Sequence, residues 1–261
     1  MGVGSAALAT AISQFVSALL CMVHLLRVEE EYRLELREIR FDSSMLKQII
    51  QNGVPSGFQN SVIAIANVFV QSNINAFGKM AMAGCGSYSK IEGFAFLPVT
   101  CFTMALTTFV SQNLGAKQYD RAKKGARFGV LCSIAIAELI GIIIYTAAPV
   151  LITAFNRDPD VVHYGVMQSR TIALFYCLLA FSHCIAAVLR GSGHASVPMI
   201  VMLCDWCLFR VSYITVAVRI IPDIRVIFWA YPLTWSISSV IFLFMFLRGK
   251  WVYGFEKTKE K

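Results

Sequence analysis

Apolar runs dominate this chain, and charge, Pro and Gly clusters cut them into seven stretches, near residues 3–26, 47–70, 82–112, 127–150, 162–189, 198–218 and 226–247. Each is longer than the ~18 residues that mark a membrane helix. The pattern therefore predicts an all-α, polytopic membrane bundle of about seven transmembrane helices. The third and fifth stretches exceed the ~20 residues that a perpendicular span needs, so they are expected to tilt or protrude. Polar positions recur at helical spacing inside two of the stretches. On the second, Asn52, Ser56, Asn60, Asn67 and Gln71 share an arc of about 100°. On the third, Glu92, Thr100, Thr103, Thr107 and Ser111 share a similar arc of about 100°.

Two polar stripes on consecutive helices point to a shared water-filled cavity, with Asn60, Asn67 and Gln71 facing Thr103 and Thr107. The plainer alternative is dry interhelical hydrogen bonding, worth ~0.6 kcal/mol per polar side chain. Glu92, in SYSKIEGFAFLP, tilts the choice. A carboxylate at the centre of a span costs roughly 2.5 kcal/mol or more, so it marks a place where something is bound or moved. Glu92 is accordingly the candidate for holding a coupling ion. Lys90 stands about 160° around the helix from it and is a poor partner.

The other charges inside spans read differently. Glu138 has no charged neighbour in sequence, and it is protonated, paired across helices or exposed to a cavity. Arg170 can snorkel outward. Asp205 and Arg210, five apart, face different directions on an α-helix, so each needs its own partner. A structural or snorkelling role is expected for these. His183 reads as a helix-facing polar group and His24 as an interfacial one. Gly53-Val54-Pro55 predicts a bend near one end of the second span.

The composition is 57% hydrophobic, with a net charge of +8. Sixteen of the 23 Lys and Arg residues lie on one side of the predicted spans: after the first, third and fifth spans and in the tail. Only four, Lys79, Arg157, Arg219 and Arg225, lie in the opposite loops. The positive-inside rule then places the C terminus in the cytoplasm and the N terminus outside, which suits a multi-pass protein of the plasma (inner) membrane. Loop charge beside anionic lipid accounts for the basic excess, so no nucleic-acid partner is expected. The start, Met1-Gly2-Val3-Gly4, lacks the positive region of a secretory signal, and Ala6 breaks the myristoylation pattern, so the first span is expected to stay.

The charged segment 27–44 cannot span and divides the first helix from the other six. The expected organisation is one helix over 1–26, a cytoplasmic linker over 27–44, a six-helix lobe over 45–250 and a basic tail over 251–261. Of eight cysteines, Cys204 and Cys207 have CxxC spacing, but no second pair completes a zinc set. They read as small packing residues, and no metal or cofactor is expected. No loop assembles a nucleophile, base and orienting group, so an enzyme is not expected.

NGVPSGFQNS from Asn52, the Asn75-Ala76-Phe77-Gly78 turn, SKIEGFAFLPV and Phe109-Val110-Ser111-Gln112-Asn113-Leu114-Gly115-Ala116 together resemble the second half of a multidrug and toxic compound extrusion (MATE) transporter. LRGSGHASVPM at 189–199 and the late YPLTW fit the same pattern, and GVGSAALATAISQFVSALL resembles the last helix of that family's first half. The resemblance implies two six-helix lobes around a central cavity, with alternating access exporting organic cations or amphipathic drugs in exchange for H+ or Na+. It implies that this chain carries the last helix of the first lobe and the whole second lobe, with a missing N-terminal lobe as partner alongside lipid and small-molecule substrates. Where Na+-coupled members hold an acid before the RG turn, LLAFSHCIAAVLRG offers only His183. H+ and Na+ therefore stay open as coupling ions.

Two other membrane functions compete. A flippase for lipids or lipid-linked sugars shares the architecture, but such a cavity is expected to be rich in Arg and Lys. A seven-helix receptor matches only the helix count, and the last span has no Lys for retinal.

Overall fold

The computed structural model describes residues 3–28, 33–35, 40–248 and 250–253. Residues 29–32 and 36–39 of the expected linker and residues 254–261 at the end of the basic tail lie outside the described residues. The chain divides into two compact units, residues 1–47 and 48–261. In the first, α1 (Val3–Arg27) runs 25 residues, and its Leu8, Phe15 and Leu20 are exposed. The boundary falls inside α2 (Ser43–Asn75), whose first turn is capped by Asp42 Oδ1 accepting from the Ser44 and Met45 amides.

The larger unit continues α2 and adds α3 (Lys79–Gly115) and α4 (Tyr119–Thr153). A fifth rod follows, made of α5 (Pro159–Ile172), a 3-10 turn (Ala173–Phe175) and α6 (Tyr176–Gly191). The sixth rod joins α7 (Ser196–Met202) to α8 (Arg210–Ile220) through a π-helical segment (Leu203–Phe209), and α9 (Ile224–Leu247) closes the bundle. Among the described residues, six helical rods are long and apolar enough to cross a membrane. The remaining one, α2, has 33 residues, but its Asn, Gln and Ser content keeps it out of that set. Pro55 lies inside α2 without ending it.

The fifth rod is the centre. Two thirds of its spanning window is buried, against 28–39% for α3, α4, the sixth rod and α9. Ala180, Cys184, Ala186 and Ala187 give α6 a narrow surface on all sides, so α3, α4 and α9 pack closely against it. Lipid is as apolar as Leu, so such contacts gain by dispersion and close approach rather than by leaving water. Large apolar side chains point outward instead: Phe128, Leu131, Leu139, Ile143 and Val150 of α4 are exposed.

Close approach is sharpest where α3 crosses α5. A Cβ on Gly84 would stand 2.5 Å from the Val161 carbonyl oxygen and 2.9 Å from the Gly165 nitrogen. Small residues at such a crossing let two backbones touch. A second approach lies at the break in the fifth rod, where a Cβ on Gly141 of α4 would collide with the Ala173 carbonyl. The amide of Cys177, in the first turn of α6, donates instead to Glu138 Oε2 at 3.2 Å. Glu138, left with three possible states by the sequence, is thus paired across helices, supplying the acceptor that a restarting helix lacks.

Candidate functional site

Helical spacing sets the first wall of the site. Val62, Ala66, Val70 and Ile74 bury one face of α2, which leaves Asn60, Asn67 and Gln71 exposed on another. Gln71 Nε2 donates to Asn75 Oδ1 at 2.8 Å. On α3, Ser89, Glu92 and Phe96 follow at steps of three and four and share a face. These five side chains, Asn67, Gln71, Ser89, Glu92 and Phe96, line one cavity of about 230 Å³.

The opposite wall comes from the sixth rod and α9: Trp206, Arg210, Tyr231 and Trp235. Arg210 is fully buried, and its guanidinium carbon lies 4.6 Å from the Trp206 ring and 4.8 Å from the Tyr231 ring. Two aromatic faces so placed favour a cation between them. Arg210 Nη2 donates to Thr234 Oγ1 at 2.9 Å, while Nε and Nη1 have no hydrogen-bond partner. Glu92 is half-buried; its Oε1 lies 3.4 Å from the Tyr88 hydroxyl, which in turn meets the Tyr176 hydroxyl at 2.8 Å. The long first bond holds the carboxylate loosely.

A second acid lies behind this wall. Asp205 is 3% exposed, and neither carboxylate oxygen closes a hydrogen bond of ordinary geometry. Ser238 and Arg210 are within electrostatic reach of it, and Glu92 is within reach of Arg210 too. Ser238 belongs to a buried hydroxyl cluster, with Ser182 at 3.2 Å, and Ser182 also meets Ser239 at 2.9 Å. Ser182 and Ser239 are bonded to the Leu178 carbonyl, and Ser238 to the Thr234 carbonyl. Those hydrogens are occupied, which explains why the cluster does not satisfy Asp205.

The structure sorts the sequence candidates plainly. Asn67, Gln71 and Glu92 meet at the cavity, and Asn60 stands on the same exposed face of α2 without lining it. Thr103 and Thr107 are placed elsewhere. Thr103 Oγ1 donates to the Thr100 carbonyl, and Thr107 Oγ1 to the carbonyls of Thr103 and, at 3.3 Å, Ala187 of α6. Thr107 is the interhelical hydrogen bonding weighed as the plainer alternative, because the bare Gly191 brings α6 against its backbone. Lys90 turns away from Glu92, with its ammonium 5.4 Å from the Phe155 ring.

Arg210 and its aromatic neighbours were missed as site residues. Arg210 and Asp205 form no ion pair, and Arg210 takes Thr234 as its partner. In Leu203–Phe209 the hydrogen bonds join residues five apart, a winding that the helical spacing of the sequence does not include. The available signal was an Arg in the middle of an apolar span, too deep to snorkel easily. His183 stands edge-on between the Phe96 and Trp206 rings, at 5.8 and 5.6 Å, directly behind two cavity residues.

The chain is similar to known proteins over most of its length. The chain is 27% identical to a probable multidrug resistance protein NorM of Thermotoga maritima, over 100% of this chain and 56% of that protein. It is 23% identical to the probable multidrug resistance protein YoeA of Bacillus subtilis, over 78% of this chain and 44% of the relative. The chain thus spans about half the length of the curated relatives it matches. A solved multidrug resistance MATE family transporter of the MOP superfamily, in an outward-facing conformation, superposes with a TM-score of 0.87 at 20% identity, over 97% of this chain and 57% of that one. That likeness is one of fold. The MatE family model matches residues 55–215, which is more than half of the chain. With that match and six rods of spanning length, the chain is an integral membrane protein and belongs to the MatE family.

Proposed function

We propose that this chain supplies one lobe of an antiporter that exports organic cations or amphipathic drugs in exchange for H+ or Na+, with Glu92 holding the cation. One observation carries the reading: Glu92, in a membrane-length helix, opens onto a cavity otherwise walled by the amides of Asn67 and Gln71, the Ser89 hydroxyl, aromatic rings and the single guanidinium of Arg210. Aromatic faces bind organic cations, and amides bind polar substituents without charge selectivity. At about 230 Å³ the cavity is smaller than a whole drug requires, roughly 300 Å³ and upward. It suits an ion and part of a substrate, and the N-terminal lobe would supply the facing wall.

Charge balance supports cation coupling. Glu92 and Asp205 together carry two potential negative charges against the one guanidinium of Arg210, a group that keeps its proton in proteins. The group is neutral when one monovalent cation joins it. The same balance weakens the flippase reading, because the cavity offers a single Arg faced by an acid rather than a basic lining.

Asn67 tests the cavity. In a complete two-lobe transporter without native cysteines, Asn67→Cys is expected to react with a hydrophilic thiol reagent, and added substrate to slow that reaction. Asn67→Trp should change which compounds are exported while folded yield holds. An inert cysteine together with a Trp variant that only lowers yield would make the α2 stripe helix packing. The topology has its own check. Asp120→Cys is expected to resist an impermeant reagent in intact cells, with the C terminus cytoplasmic in the plasma membrane, and labelling from outside would invert the orientation.

A further inference from the structure

The few basic residues on the basic-poor side are not scattered. Of the four in those loops, Arg157 and Arg225 face one cavity of about 600 Å³, and Arg170, from within the fifth rod, faces it too. Three guanidiniums around one space repel each other, and the placement of Arg225 adds to the cost. It sits in the first turn of α9, where the helix dipole is already positive. Asp158 Oδ1 accepts from the Asp160 amide and Asp223 Oδ1 from the Arg225 amide, each capping its own helix, and Asp158, Asp160 and Asp223 all lie outside the cavity lining. His163 adds another donor to the rim.

We propose that this cavity binds the phosphate of an anionic glycerophospholipid. Arginine forks match phosphate oxygens in pairs, and each such bond is charge-assisted. The volume is far more than a bare phosphate fills, and Val162, Val166 and Met167 make part of the wall apolar, fit for the glycerol and first acyl carbons. The cavity lies where α4 ends and α5 and α9 begin, the level at which membrane helices meet headgroups. Arg170 stands seven residues beyond His163, ~10 Å deeper along α5, so the donors are staggered as a lipid headgroup is. The Arg170 guanidinium is steadied 5.7 Å from the Tyr145 ring. The site is independent of the transport reading.

Native mass spectrometry of the full chain in neutral detergent tests it, with phosphatidylglycerol, phosphatidylcholine of matched acyl chains, and inorganic phosphate as probes. Phosphatidylglycerol is expected to be retained, phosphatidylcholine to be lost, and millimolar phosphate to compete with neither. Arg157→Gln with Arg225→Gln should lower retention about tenfold, as for the loss of two charge-assisted contacts. Arg219→Gln, on the same side but outside the cavity, should leave it unchanged. All three arginines are exposed, and either single variant carries the same test if the double variant fails to fold. Equal retention of phosphatidylcholine, unchanged retention in the variants, or displacement by inorganic phosphate would each overturn the lipid site.

Discussion

Glu92→Gln, placed in a complete transporter built with this lobe, is expected to abolish drug efflux while folded yield stays near that of the parent. Gln preserves the shape and keeps an acceptor for the Tyr88 hydroxyl, now 3.4 Å from Oε1, so packing changes little. What disappears is the charge. A carboxylate is kept at mid-membrane against a cost of about 2.5 kcal/mol or more, and if that energy is recovered in cation binding its loss corresponds to about 60-fold or more in affinity. Minimum inhibitory concentrations and proteoliposome uptake would both read this. Tyr88→Phe should cost much less, because its bond to Glu92 is long. Unchanged resistance with Glu92→Gln would remove the residue from the mechanism and leave Asp205 as the acid to test.

The second large effect is on folding. Gly84→Val is expected to prevent α3 from seating on α5, because the new side chain would start 2.5 Å from a carbonyl oxygen and 2.9 Å from an amide nitrogen, both backbone atoms that cannot rotate away. Overpacking of well-filled interiors costs roughly 1–3 kcal/mol, and a backbone collision belongs at the upper end. At 2–4 °C per kcal/mol for a chain of this size, unfolding in detergent should come roughly 6–12 °C earlier. Gly86→Ala, two residues on with nothing within 4 Å of its added carbon, is the matched control and should be nearly silent. A Gly84→Val protein that melts with the parent would mean the crossing is looser than described.

Sequence and structure agree where apolar content decides the outcome. The rods Lys79–Gly115, Tyr119–Thr153 and Ile224–Leu247 contain the stretches expected at 82–112, 127–150 and 226–247, with polar turns of a few more residues at the ends. The site divides differently. Asn67, Gln71 and Glu92 could be placed together because α2 and α3 are regular there, so a fixed 100° step holds. Thr107 could not be assigned, since a hydroxyl lining water and one bonded to a neighbouring carbonyl look alike in sequence. Arg210 was lost for a separate reason: its direction depends on the π segment before it, and nothing in the run LCDWCLF marks a change of hydrogen-bonding step. The 3-10 turn at Ala173–Phe175 was equally silent, because the apolar run continues through it.

That π segment also bears on how such a pocket could arise. Relative to an α-helix, a π turn holds one surplus residue. Deleting one position within Leu203–Phe209 would restore regular winding and rotate all of α8 by about 100°. Arg210 would swing away from Trp206 and Tyr231, and Glu92 would face a wall without a cation. A pocket holding a guanidinium and one without it are therefore separated by the loss of a single residue from the π segment, with Arg210 itself unchanged. In this lobe, cavity charge can be altered by length as readily as by substitution.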